Sequence, residues 1–253
     1  MTKGFLWLRD ALQVLALDRL NPATRPFSHE ASAAVQTLRF HAHARMPRVE
    51  LAEILSRLSP REPDSVVLPA GNGLGSQAYY MTLASIVAAL KPETILEFGT
   101  YLGMGALTMA LNASGSCKIF TLDLPDEAPE EARSTLNALD RGHVASSRNR
   151  VGEAFLQHRM RDRITQLRAD SMTFRAADHV RDADLVLVDG GHSLPLIKKD
   201  TGNAFDVLSA RGVILWDDYF QLYPEVVSFL DELSRKYPLR SIAGTNCVIY
   251  SRT

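Results

Sequence analysis

The sequence predicts an α/β protein built on a doubly wound, mostly parallel β-sheet. From residue 94 onward, short apolar runs of strand length alternate with stretches of helix length, which is the pattern of repeated β/α units. The first unit contains a glycine-rich turn between a buried strand and a helix, and acidic residues follow the later strands. Because ligands of open α/β sheets bind at the carboxyl ends of the strands, these features also indicate where a functional site should lie.

Five parallel strands are predicted along the chain, at residues 94–98, 118–122, 164–167, 184–188 and 212–215. The helices of these units are predicted at 103–112, 128–139, 195–208 and 224–236. Residues 240–243 and 247–251 flank a Gly-Thr-Asn turn and are expected to form an antiparallel hairpin, which gives a sheet of seven strands.

Residues 1–70 are predicted to form a helical extension that precedes the main domain at 71–253. Apolar residues recur at helical spacing over 5–20, and further helices are predicted at 28–41 and 48–58. A flexible glycine-rich segment at 71–75 is expected before a helix at 76–90 that Ser76 caps. The first amphipathic helix is compatible with docking on the core, with lying on a membrane surface, or with pairing to a second copy of the chain in a homo-oligomer.

The bulk composition is that of a globular, cytoplasmic protein. Of 253 residues, 46% are hydrophobic and the formal net charge is −1, which argues against a dedicated nucleic-acid binder. No apolar run is long enough for stable membrane insertion, and the N-terminus lacks a signal-peptide pattern. Cys117 and Cys247 are expected to be buried thiols rather than a disulfide.

The glycine turn carries the strongest functional signal. Gly99, Gly103 and Gly105 have the spacing G-x-x-x-G-x-G, which differs from the dinucleotide fingerprint G-x-G-x-x-G. Glu97 stands two residues before the first glycine, where an acid would repel a phosphate but would suit a cationic ligand. S-adenosylmethionine is such a ligand, because it carries an ammonium and a sulfonium and no phosphate. The alternative is an ordinary strand–turn–helix corner without a ligand.

The segment E-F-G-T-Y-L-G-M-G at 97–105 resembles the first motif of class I methyltransferases, and especially that of the catechol-type O-methyltransferases. The resemblance implies that S-adenosylmethionine binds along this turn, at Glu97, Gly99, Thr100, Tyr101 and Gly103. It also implies that Asp123 at the end of the second strand binds the ribose hydroxyls, and that Asp170 and Ser171 contact the adenine edge. The alternative for these polar residues is capping of helices and turns.

Three carboxylates are expected to converge at the ends of the fourth and fifth strands. Asp189 ends one strand, and Asp217 and Asp218 end the other. Such carboxylates repel one another unless they are protonated or neutralised by a cation, and oxygen donors suit Mg²⁺ or Ca²⁺. The alternative is that these acids cap helices or only line the pocket.

The patterns V-D-G-G-H at 188–192 and W-D-D-Y at 216–219 resemble metal-dependent O-methyltransferases of the catechol and antibiotic-sugar type. The resemblance implies Mg²⁺ bound by Asp189, Asp217 and Asp218. It also implies a general base at His192, three residues past Asp189, and a neutral imidazole suits removal of a hydroxyl proton. The alternative for His192 is a structural loop histidine or an adenine contact, and Lys198 and Tyr219 are reserve candidates.

Residues 140–163 form a connection longer than the fold requires, and they contain six arginines. One interpretation is a lid that favours an anionic group of the substrate. The other is a solvated insertion with a short helix at 152–159, which can still line the site.

Together these features predict an S-adenosylmethionine-dependent O-methyltransferase, assisted by Mg²⁺, that acts on a hydroxyl of a small-molecule or sugar acceptor. The alternatives are a metal-independent methyltransferase of the same fold, an NAD(P)-linked oxidoreductase, and a silent protein that only binds the cofactor. The glycine spacing and Glu97 argue against the oxidoreductase.

Overall fold

The structure, a computed structural model, describes residues 46–61, 63–70 and 77–252. The helices predicted at 5–20 and 28–41, the glycine-rich segment at 71–75 and the cap at Ser76 lie outside the described residues. Among the helices that are described, none combines the length and apolarity needed to span a bilayer.

The core of the molecule is an eight-stranded sheet with the order β1-β7-β8-β6-β5-β2-β3-β4. Strands β2 to β6 pair in parallel, and β8 lies antiparallel between β6 and β7. The predicted α/β class and mostly parallel sheet are therefore confirmed. The strands are β1 (Arg48–Val49), β2 (Thr94–Phe98), β3 (Lys118–Asp123), β4 (Ile164–Arg168), β5 (Ala183–Val188), β6 (Leu208–Trp216), β7 (Arg240–Ile242) and β8 (Val248–Ser251).

Strand β1, the one strand beyond the seven predicted, comes from a segment that was predicted to be helical. Residues 48–49 pair in parallel with β7 at the edge of the sheet, and the helix begins only at Leu51. The described part of the predicted extension thus packs with the main sheet. The helical character of residues 1–45 and their role in a homo-oligomer stay predictions.

Eight α-helices cover the sheet in the described part of the chain. They are α1 (Leu51–Leu58), α2 (Gln77–Leu90), α3 (Met104–Asn112), α4 (Glu130–Ser134), α5 (Ala138–Ser147), α6 (Glu153–Leu156), α7 (Leu194–Val207) and α8 (Pro224–Leu233). The single helix predicted at 128–139 is two helices, because the Asn137 side chain accepts a hydrogen bond from the Asp140 amide (2.9 Å) and starts α5 as its N-cap.

The strand order reverses at β2, because later strands are added on the opposite side of it. The chain passes from β2 to β3 on one side, whereas β5 pairs with the other side of β2. At this switch point the amide of Gly99 donates to Leu122 O (2.9 Å) and the amide of Asp189 donates to Phe98 O (2.9 Å). A crevice at such a point is the usual ligand site of the fold.

Apolar packing on both faces holds these strand ends in place. Strand β5 is buried throughout, and Leu96, Leu185 and Leu187 have no measurable exposure. Continuous apolar strands of this kind are typical of parallel sheets that are covered on both faces. Cys117 and Cys247 are buried free thiols, as predicted.

Candidate active site

A cleft of about 430 Å³ opens over the carboxyl ends of the central strands, which is a volume suited to a small-molecule ligand. It is lined by the glycine turn, by the ends of β3 and β5, by the loop after β4 and by one face of α5. All twelve predicted site residues except Gly103 and Asp217 line it: Glu97, Gly99, Thr100, Tyr101, Asp123, Asp170, Ser171, Asp189, His192 and Asp218.

The glycine turn packs closely against neighbouring segments at two positions that have no side chain. Gly99 has φ +96°, and a Cβ at this position would overlap the carbonyl oxygen of Asp189. Gly103 also has positive φ (+86°), and a Cβ there would lie 2.6 Å from Phe155 of α6. Only glycine fits these positions, so the end of β2 packs directly against the backbone at Asp189 and the start of α3 packs against α6.

Glu97 lies buried beneath the start of α3. Its side chain is 1% exposed and its carboxylate accepts a 2.5 Å hydrogen bond from Thr121, whose hydroxyl also pairs with Thr100 Oγ1 (2.6 Å). Burial raises the pKa of Glu97 to about 8, with a small contribution from Asp123 and opposition from the Thr121 hydrogen bond. A buried carboxyl of this kind ionises most readily beside a cation, so it favours a positively charged ligand group.

Asp123 ties the end of β3 to the glycine turn. Its two carboxylate oxygens accept hydrogen bonds from the amides of Tyr101 (2.6 Å) and Leu124 (2.8 Å). Burial raises the pKa of Asp123, while these hydrogen bonds oppose the shift. The carboxylate retains lone pairs toward the cleft, where it could accept further hydrogen bonds from hydroxyl groups.

The loop after β4 contains a polar cluster that includes one residue the sequence did not single out. The Asp170 carboxylate accepts from the Met172 amide (2.9 Å), and the Ser171 hydroxyl donates to the carboxyl group of Asp200 on α7. Asp200 is 1% exposed, and burial raises its pKa to about 7. A mid-helix aspartate carries no motif, so only the fold brings it to the cleft.

The acidic residues after β5 and β6 meet a histidine. Asp189, His192 and Asp218 each offer a ligand atom, and these atoms all lie within 4.8 Å of one another. Burial raises the pKa of Asp189 well above its ordinary value, and repulsion from Asp217 and Asp218 adds to the shift. Crowded carboxylates with raised pKa are a fitting place for a divalent cation.

Asp217 differs from its predicted place in this group. Its carboxylate faces the Cys247 thiol (3.6 Å), outside the atoms that meet at the cleft. Asp218 turns the other way because its backbone is in the left-handed region, at φ +61°. Burial and Asp218 raise the pKa of Asp217 to about 7.

His192 is held on both edges of its ring and on one face. Nδ1 lies 2.5 Å from the Asp140 carboxylate, which also accepts from the His192 amide (2.9 Å), and Nε2 lies 2.7 Å from Asp218. The Tyr223 ring stacks on the imidazole at 3.9 Å. Burial lowers the pKa of His192, but the two carboxylate hydrogen bonds outweigh it and raise the pKa to about 10.

In this arrangement His192 is an imidazolium that neutralises part of the surrounding negative charge. It can act as a base only in a state in which Nε2 does not donate to Asp218. The predicted role of His192 as general base therefore depends on what else binds in the cleft.

Two further residues at the reactive end were not anticipated. Tyr79 of α2 donates a hydrogen bond to Asp189 Oδ2 (2.7 Å), and Asp140 of α5 is 4% exposed at His192. The signal for Asp140 was its place in an insertion that is too long for a simple connection. Tyr79 follows the segment at 71–76 and no sequence pattern marks it. Of the reserve candidates, Tyr219 is fully buried and donates to Asp231 (2.6 Å), and Lys198 does not line the cleft.

The insertion lines the cleft with α5, but its arginines face elsewhere. Arg141 pairs with Glu130 (3.2 Å), Arg150 pairs with Glu153, and Arg163 donates to carbonyls at the end of α3, such as Ala110 O (2.8 Å). Within the described residues, no arginine or lysine lines the cleft. The interpretation of an arginine wall for an anionic substrate is therefore not supported.

Backbone hydrogen bonds fasten the insertion to the glycine turn. The amide of Gly152 donates to Tyr101 O (2.8 Å) and the amide of Ala154 donates to Leu102 O (2.9 Å). The two segments are thus positioned together, and α5 presents Asp140, His143, Val144 and Ser147 to the cleft.

Comparison with known proteins identifies the domain that contains most of this site. Residues 96–219 match the model of a protein family described as a methyltransferase domain. None of the curated proteins matches the chain.

Among solved structures, an S-adenosylhomocysteine-bound methyltransferase of Podospora anserina superposes with a TM-score of 0.50 at 20% identity, over 88% of this chain and 95% of that chain. A methyltransferase from Geobacter sulfurreducens gives a TM-score of 0.47 at 15% identity, over 82% and 91% of the two chains. The apo TDP-rhamnose 3′-O-methyltransferase of calicheamicin biosynthesis gives 0.48 at 14% identity, over 79% and 92%. At these identities the likeness to the Podospora protein shows a shared fold.

Proposed function

Because residues 96–219 match the model of a methyltransferase-domain family, we propose that this chain is a class I S-adenosylmethionine-dependent methyltransferase that transfers the methyl group to oxygen. The acceptor is a hydroxyl group of a small molecule or sugar, and a divalent cation assists the reaction. The observation that carries the proposal is that one cleft contains both the glycine turn with Glu97 and Asp123 and the group of Asp189, His192 and Asp218.

The cofactor half of the cleft suits the charge pattern of S-adenosylmethionine. Glu97 lies where a carboxylate favours a cationic ligand group, and Asp123 can accept hydrogen bonds from ribose hydroxyls. Gly99 contributes backbone without a side chain to the lining of this half. Asp170 and Ser171 lie in the loop after β4, the next strand outward from β3, where the adenine is expected beyond the ribose.

The acceptor half suits an oxygen nucleophile. Methyl transfer forms a C–O bond and breaks the C–S bond of the sulfonium, and the hydroxyl proton must leave. The carboxylates of Asp189 and Asp218 would hold a divalent cation such as Mg²⁺, which when bound lowers the pKa of an acceptor hydroxyl. His192 Nε2 would accept the hydroxyl proton when it does not donate to Asp218, and Asp140 would keep the ring oriented through Nδ1.

The charge of the cleft favours a neutral or cationic acceptor. Its described lining contains seven carboxyl groups and no lysine or arginine, and these acids are Glu97, Asp123, Asp140, Asp170, Asp189, Asp200 and Asp218. A phosphate or carboxylate on the acceptor would be repelled by such a surface. Neutral sugars, catechols and amino-bearing acceptors therefore come first in a substrate search.

The test is methyl transfer from labelled S-adenosylmethionine to a panel of neutral catechols and sugars, with the protein stripped by EDTA and then reloaded with Mg²⁺. We expect transfer to disappear with EDTA and to return with Mg²⁺. Cofactor binding without transfer to any acceptor would instead favour a silent binding protein. Calorimetric binding of NAD(P) but not of S-adenosylmethionine would contradict the proposal as a whole.

A metal-independent methyltransferase is the second candidate, and one observation favours it. His192, between Asp140 and Asp218, already supplies a positive charge at the acidic group. Full activity in EDTA would select this candidate over the first.

A further inference from the structure

Tyr79 is a residue of α2 to which the reaction above assigns no part. Its ring packs against the hydrophobic core, on the same helix face as the fully buried Leu83 one turn later. The Tyr80 ring meets it edge-on, with 4.9 Å between the ring centres. The Tyr79 hydroxyl reaches the reactive end of the cleft, where it donates a hydrogen bond to Asp189 Oδ2 (2.7 Å). Apolar packing therefore holds this donor in a fixed place.

The acceptor of this hydrogen bond is fixed as well. The amide of Asp189 donates to Phe98 O (2.9 Å), and a Cβ on Gly99 would overlap the carbonyl oxygen of Asp189. The main chain at Asp189 is thus held from both of its polar groups. The hydrogen bond from Tyr79 then decides which carboxylate oxygen faces α2 and which is left for a ligand.

The two carboxylates that would hold a cation have different hydrogen-bond partners. In the described part of the chain, Tyr79 gives the only hydrogen bond to the carboxylate of Asp189. Asp218 Oδ2 lies instead 2.7 Å from His192 Nε2, and His192 has to release Asp218 before it can accept a proton. The Tyr79 hydroxyl takes no part in that proton transfer, so it can stay on Asp189 Oδ2 while a cation is bound.

Divalent cations differ in how they use a carboxylate. Mg²⁺ requires near-octahedral coordination and keeps several water ligands. A carboxylate that binds through both oxygens spans too narrow an angle for that geometry. Ca²⁺ accepts about six to eight oxygens in flexible arrangements and takes carboxylates through one oxygen or both. A carboxylate with one oxygen already engaged by a hydroxyl group therefore suits Mg²⁺ better than Ca²⁺.

We propose that Tyr79 is a positioning residue that engages Asp189 Oδ2, so that the cleft holds a cation through the other oxygen of Asp189 and prefers Mg²⁺ to Ca²⁺. The inference rests on the proposed function, because it needs the proposed cation site. It assigns the choice between the two ions to a neutral donor on α2, which orients the carboxylate without adding charge to the group of Asp189, His192 and Asp218.

The experiment measures cation binding in the presence of S-adenosylhomocysteine, so that neither an acceptor nor turnover is needed. Mn²⁺ is the probe, its free concentration is read by electron paramagnetic resonance, and Mg²⁺ or Ca²⁺ is added to displace it. The two displacement curves give the ratio of the affinities for Mg²⁺ and Ca²⁺. We expect the wild type to favour Mg²⁺. Tyr79→Phe should lower the ratio about fivefold or more, because Mg²⁺ loses an oriented ligand and Ca²⁺ gains a second oxygen.

Two further variants make the result interpretable. Tyr237→Phe removes a hydroxyl group from a ring that stacks on Phe205 at 4.6 Å and does not line the cleft, so it should keep the wild-type ratio. Thermal unfolding checks that Tyr79→Phe folds. If it does not, Tyr79→Leu, which also packs on the core but cannot donate a hydrogen bond, is measured in its place with the same expectation.

A parallel loss of affinity for both cations in Tyr79→Phe would show a structural role only and would overturn the proposal. An unchanged ratio, or a wild type that favours Ca²⁺, would overturn it as well. A wild type that binds S-adenosylhomocysteine but not Mn²⁺ would contradict the proposed cation site, and the inference with it, while the proposed cofactor site would stand.

Discussion

Gly99 is the residue at which the geometry of the cleft is most sensitive to a single methyl group. Its positive φ and the nearby carbonyl oxygen of Asp189 both exclude a side chain. We expect Gly99→Ala to destabilise the protein by on the order of 3 kcal/mol or more, measured by chemical or thermal unfolding.

The matched control is Gly142 in α5, where an added Cβ meets nothing within 4 Å. Gly142→Ala should raise stability by about 0.5–1 kcal/mol through helix propensity. Equal behaviour of the two variants would mean that the turn is not packed as described.

Substitution of a single carboxylate should affect either turnover or cofactor binding, depending on the half of the cleft in which it lies. Asp189→Asn keeps an acceptor for Tyr79 but removes a charge from the acidic group. We expect turnover to fall at least about 100-fold while the affinity for S-adenosylhomocysteine stays within about threefold. Asp123→Asn should do the reverse and weaken cofactor binding.

Each of these variants is the control of the other, with kinetics and calorimetry as the measurements. Loss of cofactor affinity in Asp189→Asn would move this residue to the cofactor half.

At the scale of elements, a buried contact joins helix α5 of the insertion to the loop after β5. Asp140 accepts hydrogen bonds from both the amide and the ring of His192, so it couples the position of α5 to that of the ring. We expect Asp140→Ala to lower kcat about tenfold or more, with little change in cofactor affinity. Hydrogen exchange across 138–147 should become faster.

Asp162→Ala is the control for this prediction, because Asp162 is an exposed aspartate of the same insertion. If both variants behave alike in kcat and in hydrogen exchange, α5 is not held through Asp140.

Strands were easier to predict than the insertion because a strand's pattern is local. The apolar runs that end at Phe98 and Val188 mark β2 and β5 to within one residue. The helix predicted at 128–139 is broken by the Asn137 cap, a local signal that the apolar periodicity obscured. The short strand β1 depends on its pairing with β7, which no local pattern encodes.

At the scale of the whole molecule, buried carboxyl groups couple stability to pH. The folded protein keeps a proton on Glu97 up to a pH of about 8, whereas the unfolded chain releases it near 4.5. Stability is therefore highest below about pH 4.5 with respect to this group, and it declines as the pH rises toward 8.

Glu97→Gln removes this contribution and keeps an acceptor for Thr121. We expect the variant to gain on the order of 4 kcal/mol relative to wild type between pH 5 and pH 8, measured by denaturant unfolding without cofactor. Asp200 and Asp217 titrate in the same direction and are common to both proteins, so the difference reports Glu97. A difference that does not change with pH would contradict a buried, protonated Glu97.

Two parts of this protein follow from the sequence by itself. The alternation of apolar strands and helices determined the sheet. A strand that is buried on both faces needs a nearly continuous apolar run, and that run is visible in the local sequence. The glycine spacing with Glu97 predicted the corner that lines the cleft, because a turn that admits no side chain is a local property of the sequence.

The tertiary structure alone decided which polar groups meet. It joined Asp140 and Tyr79 to the acidic group, turned Asp217 toward Cys247, and paired Ser171 with Asp200. It also turned the arginines of the insertion away from the cleft. Hydrogen bonds between residues distant in sequence depend on how the elements pack and on single backbone angles such as that of Asp218, and neither is encoded in a local pattern.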